Sequence, residues 1–162
     1  MITNEELKEY LFNLSNDLDN STNEMVSRLF LYKMTKEDRY KYFSNMYLKD
    51  NLPTKVTNYD SSFISKDFDL EIYDRFLDNL DDYVRSQEKQ LDELIVRHQM
   101  AVKIFRLIIT LPYPICDIMY LTYFKNRNVS DIVSTLFISR PTYFRLKRKG
   151  FNMLLDMLNQ TE

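Results

Sequence analysis

Between Asp67 and Leu111 the chain contains no glycine and no proline, while Leu70, Tyr73, Leu77, Leu80, Val84, Leu91, Leu94 and Ile95 recur at three- and four-residue steps. That spacing places them along one side of a helix, so it predicts a single helix over 67–111, roughly 65 Å long at about 1.5 Å per residue. A helix with so long an apolar side must bury it. It either packs along other helices of the chain or self-associates as a coiled-coil homodimer, although Gln87 falls on the apolar side and breaks the strict heptad.

The remaining residues extend the helical reading to the whole chain. With one Gly and four Pro in 162 residues there is little turn chemistry for β-structure, and 44% hydrophobic residues supply a sizeable core. The fold class expected is all-α, in one or two domains. Thr3 with Glu6 makes a capping box, and Leu7, Leu11, Leu14 and Leu18 form a stripe, which predicts an amphipathic helix from Thr3 to about Asp19. A second helix runs from Ser21 to about Lys33 with Met25, Leu29 and Tyr32. A third opens at Thr35 with Asp38 and repeats Tyr40, Phe43 and Tyr47 as core. Periodicity then lapses through an Asn-Leu-Pro-Thr stretch and a Ser pair, marking a loop or linker. The organisation expected is N-terminal helices over 1–50, a linker over 51–66, the long helix over 67–111 and a C-terminal domain over 112–162.

The C-terminal domain carries the chemistry. Asn128-Val129-Ser130-Asp131 is a capping box that opens a short helix to Leu136, and Ser139 before Arg140-Pro141 caps a second helix with Pro in its first turn. Tyr143, Leu146, Gly150 and Met153 or Leu154 then face inward, leaving Arg140, Thr142, Phe144, Arg145, Arg148 and Lys149 outside. From Arg140 to Lys149 there are five cations and no acid. Two short helices across a tight turn, the second one basic, suit a helix-turn-helix whose second helix enters the major groove of double-stranded DNA.

Net charge is −2, which hides a sorting by segment. Asp67–Glu93 holds ten acids against three cations, a net of −7, whereas Lys103–Lys149 holds nine cations against two acids, a net of +7. A basic reader joined to an acidic body fits that distribution. The acidic segment reads as a solvated helix face, with a basic surface of a protein partner as its alternative.

From Leu111 onward about fifty residues resemble region four of bacterial sigma factors: Leu111-Pro112, Tyr123-Phe124, Asp131-Ile132-Val133 and Leu136-Phe137-Ile138-Ser139 fall in ungapped register with that family's pattern. Val133 stands where the family has a small residue, and Phe137 where it has glycine, so the turn is expected to forgo glycine's freedom at positive φ. Ile138 to Lys149 is similar to the ending of phage late-gene transcriptional activators of the RinA, ArpU and LtrC type. The resemblance implies a transcriptional activator of phage late genes that acts with host RNA polymerase. The alternatives are a sigma-like adaptor, or a protein-interaction module such as an anti-repressor or phage-satellite factor, whose main partner is a protein.

In the DNA-binding reading Arg140, Thr142, Arg145 and Arg148 face base edges or adjacent phosphates, and Lys147 and Lys149 attract phosphate. Ser139 caps the helix and offers its hydroxyl to phosphate. Phe144 either touches a thymine methyl or packs on the long helix. Catalysis has no foothold: His98 and Cys116 are the only residues of their kinds, the acids of 67–93 point around a helix, and no Gly-rich phosphate loop exists. The expectation is no enzyme, no cofactor, no metal and no small-molecule substrate, with a nuclease or recombinase as the remaining catalytic alternative. Cys116 has no partner for a disulfide, no signal-like start opens the chain, and the apolar run Leu107–Leu111 is too short for a membrane, so cytoplasmic residence is expected.

Overall fold

The computed structural model describes residues 1–19, 22–51 and 70–160. Its helices are α1 (Asn4–Asp19), α2 (Thr22–Lys33), α3 (Lys36–Asn51), α4 (Leu70–Thr110), α5 (Ile115–Met119), a π-helical turn (Tyr120–Phe124), α6 (Val129–Thr135) and α7 (Arg140–Gln160). Among the described residues there is no strand, and every element is helical, so the described fold is all-α. The linker expected at 51–66 lies, apart from Asn51, outside the described residues.

Local caps start the helices where short-range chemistry places them. Thr3 donates both its N–H and its hydroxyl to the Glu6 carboxylate at 2.8 Å, and the Glu6 N–H returns a bond to Thr3 Oγ1 at 3.3 Å. At α3 the Thr35 hydroxyl donates to the Asp38 carboxylate at 2.8 Å and accepts from the Asp38 N–H at 3.1 Å. Such bonds satisfy N–H groups that the first turn leaves without an intrahelical acceptor.

The chain gathers into two compact units, Met1–Met25 with Ile95–Glu162, and Val26–Leu94. In the first, the α1 stripe Leu7, Leu11 and Leu14 is wholly buried against Ile104 and Ile108 of α4, Met119 of α5, and Leu154 and Leu158 of α7. Each such side chain contributes about 1.5–3 kcal/mol on leaving water. Polar contacts fix the margins. The Asn159 side chain clamps Ile2, its Oδ1 accepting from the Ile2 N–H at 2.6 Å and its Nδ2 donating to the Ile2 carbonyl at 3.1 Å. Arg97 pairs with Asp17 at 3.2 Å, and His98 Nδ1 lies 3.0 Å from the Asp17 carbonyl.

In the second unit, Phe43 of α3 is buried, as are Leu80, Val84 and Leu91 of α4. Tyr47 packs its ring 5.2 Å from that of Tyr83 and 5.8 Å from that of Phe76. One aromatic residue read as core instead stands at the surface: Tyr40 is exposed, and its hydroxyl donates to Asp81 at 2.7 Å. A tyrosine tip needs a polar partner, so this ring sits at the boundary rather than in the core. No helix among the described residues is long and apolar enough to cross a membrane.

Candidate nucleic-acid interface

Two turns set the orientation of α7. After the π-helical turn, the Lys125 N–H donates to the Tyr120 carbonyl at 3.1 Å, and Asn126 takes φ 50, a left-handed conformation that asparagine tolerates. Asn128 then caps α6, its Oδ1 accepting from the Asp131 N–H at 2.8 Å. The Asp131 carboxylate does not complete the reciprocal backbone bond. It accepts instead from Asn128 Nδ2 at 2.9 Å, still within the first turn where negative charge is favoured.

The turn between α6 and α7 corrects one expectation. Phe137 adopts φ 53 despite its side chain. Ile138 N–H donates to the Val133 carbonyl at 3.1 Å and Phe137 N–H approaches the Ser134 carbonyl at 3.4 Å, the paired closure of a Schellman motif in which glycine ordinarily holds the left-handed position. The ring is 95% exposed and meets nothing, so the cost is confined to the backbone, about 1–2 kcal/mol. Ile138 and Val133 both pack on the small core of Ile118, Ile132 and Tyr143, which holds the closure in place.

Ser139 starts α7. Its Oγ lies 2.9 Å from Thr142 Oγ1 and accepts from the Thr142 N–H at 3.4 Å, while its carbonyl takes the Tyr143 N–H at 2.9 Å. The inward face is Tyr143, Gly150, Leu154 and Leu158. Tyr143 is fixed at both ends, its ring in the core and its hydroxyl 3.0 Å from Thr122 Oγ1. Gly150 is where α7 and α5 meet: a Cβ there would stand 2.7 Å from Ile115 Cγ2 and 2.9 Å from Met119 Cγ.

Six of the eight residues singled out on sequence reach the surface: Ser139, Arg140, Phe144, Arg145, Arg148 and Lys149 are exposed. Arg140, Arg145, Arg148 and Lys149 form no ion pair with an acid of the described residues. The other two differ. Thr142 is half-buried, with its hydroxyl turned to Ser139 rather than outward. Lys147 is also half-buried. Its Nζ lies 5.0 Å from the Tyr123 ring centroid and 5.9 Å from that of Tyr143, a cation–π arrangement that draws the ammonium back against the fold. Phe144 does not bury itself; it meets Tyr143 at 5.0 Å and 76° and stays 55% exposed.

Beside the outward cations lies a groove of about 650 Å³, lined by Phe144, Arg145, Lys147, Arg148 and Phe151 of α7, by Tyr123 and by Lys8 of α1. Burial pushes the Tyr123 phenol up from its ordinary range, and the neighbouring Lys147 opposes that shift. Lys8 is paired with Glu5 at 2.7 Å. Sequence reasoning gave no part in this site to Lys8, Tyr123 or Phe151, because only the packing of α1 and the π-helical turn brings them to α7. The adjacent Phe144-Arg145 pair of α7 was the one available signal. Among the described residues no three His, Cys, Asp or Glu side chains gather closely enough to hold a metal ion. Against protein-family models, curated proteins and solved structures the chain gives no significant match.

Proposed function

We propose that the chain is a DNA-binding transcriptional regulator that reads duplex DNA with the outward face of α7. On the resemblance to sigma region four and to phage late-gene activators, it activates late genes together with host RNA polymerase. The observation that carries the reading is the set Arg140, Arg145, Arg148 and Lys149, exposed along one capped helix and paired with no acid among the described residues. Such a face is a strong phosphate attractor, and arginine also takes guanine bidentately. The closed turn at Phe137 and the small core of Ile118, Ile132 and Tyr143 support a rigid two-helix unit, with α6 across the backbone and α7 in the groove. Thr142, tied to Ser139, has a positioning part in this account. Lys147 contributes charge from the flank.

Selection from a randomised duplex pool, followed by mobility shift of the selected site and an unrelated duplex at low and high salt, tests it. Selective retention that weakens steeply with salt, and a loss of about 1–3 kcal/mol in Arg145→Ala, are expected. A pool that yields no enriched site would refute sequence-specific binding by the chain alone. A second reading, an adaptor whose main partner is RNA polymerase, draws on Phe137: a fully exposed phenyl ring on a rigid turn is an apolar anchor for a protein surface. A polymerase complex that survives Arg145→Ala and is lost in Phe137→Ser would favour it.

A further inference from the structure

The groove beside α7 combines two features that a packing surface or a solvated helix face does not explain together. Its apolar part is three aromatic rings, Tyr123, Phe144 and Phe151, and its polar part is cationic, with no carboxylate among the lining residues. A solvated basic face has no use for exposed rings, yet Phe144 keeps more than half of its surface in water although Tyr143 beside it is buried. An apolar partner would leave Arg145 and Arg148 desolvated and unpaired, at several kcal/mol each. A ligand that offers a flat apolar face next to an anion satisfies both halves. The volume, about 650 Å³, is within the range that holds a small organic group.

We infer that this groove binds single-stranded DNA, stacking an unpaired base on Phe144 and Phe151 while the flanking phosphates take Arg145 and Arg148. Bases inside a duplex are stacked on each other and have no free face for an aromatic side chain, so the groove discriminates for unpaired bases. Lys147, held over the Tyr123 ring, closes the inner wall and places a third charge beside the base without extending into solvent. The groove shares Arg145 and Arg148 with the duplex reading, so the two forms of DNA compete for the protein. The rings favour a base over an acidic peptide, which would use the cations but needs no planar platform.

The test is fluorescence anisotropy of the full chain with a labelled oligothymidylate, with an oligomer of equal length carrying abasic sugars throughout, and with a hairpin duplex that carries the site selected from the randomised pool. The base-carrying strand binds about tenfold tighter than the abasic one, the scale of one base–aromatic stack. Phe144→Leu removes most of that ratio, and Phe144→Tyr restores it. Equal affinity for the two single strands, or a ratio unmoved by Phe144→Leu, overturns the inference, and displacement of both strands by a Glu-Phe repeat peptide in that case assigns the groove to acidic peptides. A base-dependent ratio without any hairpin binding upholds the groove while refuting the duplex reading, so the two claims fail separately.

Discussion

Replacing Gly150 with alanine sets two opposed effects against each other. In an isolated helix the change would stabilise by about 1 kcal/mol, because glycine is the poorer helix former. Here the new methyl would stand 2.7 Å from Ile115 Cγ2, 2.9 Å from Met119 Cγ and 3.0 Å from Met119 Sδ. Ile115 is 3% exposed and Met119 is completely buried, so neither can swing into solvent to make room. Forcing a methyl into a filled site costs about 1–3 kcal/mol, and contact at three atoms in a closed pocket belongs at the upper end. The net expectation for Gly150→Ala is a loss of about 1–2 kcal/mol, or roughly 2–8 °C in Tm. Urea unfolding followed by far-UV circular dichroism measures it as a lowered midpoint at unchanged slope. A variant as stable as the parent, or more so, would refute the close approach of α5 and α7 and with it the placement of the basic face.

Other perturbations read separate parts of the structure. Phe137→Gly relieves about 1–2 kcal/mol of left-handed strain at about 0.5–1 kcal/mol of added chain entropy, so its urea midpoint should rise slightly; a fall would mean that the ring has a contact within the fold. Tyr143→Phe strands the Thr122 hydroxyl, now 3.0 Å from the phenol, and should cost about 1 kcal/mol in the same assay. Glu6 is held below the usual carboxylate range by the N–H and hydroxyl of Thr3. A depressed carboxylate pKa stabilises above the unfolded value of about 4.3 and ceases to as pH falls through the folded one, so the stability gap between the parent and Glu6→Gln should be level near neutrality and close in acid.

What was legible in the sequence follows the range of the interactions. The caps at Thr3, Thr35, Asn128 and Ser139 depend on side chains three residues from the N–H they serve, and each is present where the pattern placed it. The stripe Leu7, Leu11 and Leu14 was equally visible, since helical period alone decides which residues share a face. Its partners were not, because nothing local says that α1 packs on Ile104, Met119 and Leu158. The same limit hid the groove: Tyr123 reaches Lys147 only through the π-helical turn. Phe137 shows a different one. Residue preference argued against a positive φ, but the two closing hydrogen bonds and the apolar contacts of Ile138 and Val133 outweigh a strain of about 1–2 kcal/mol.

The central claim is that α7 presents its cations to duplex DNA, and amide chemical-shift mapping during titration with the selected duplex tests it most directly. The account predicts the largest changes from Ser139 to Lys149, with smaller ones at the start of α6. Changes centred on α2 or α3, with Arg140, Arg145 and Arg148 unmoved, would contradict it.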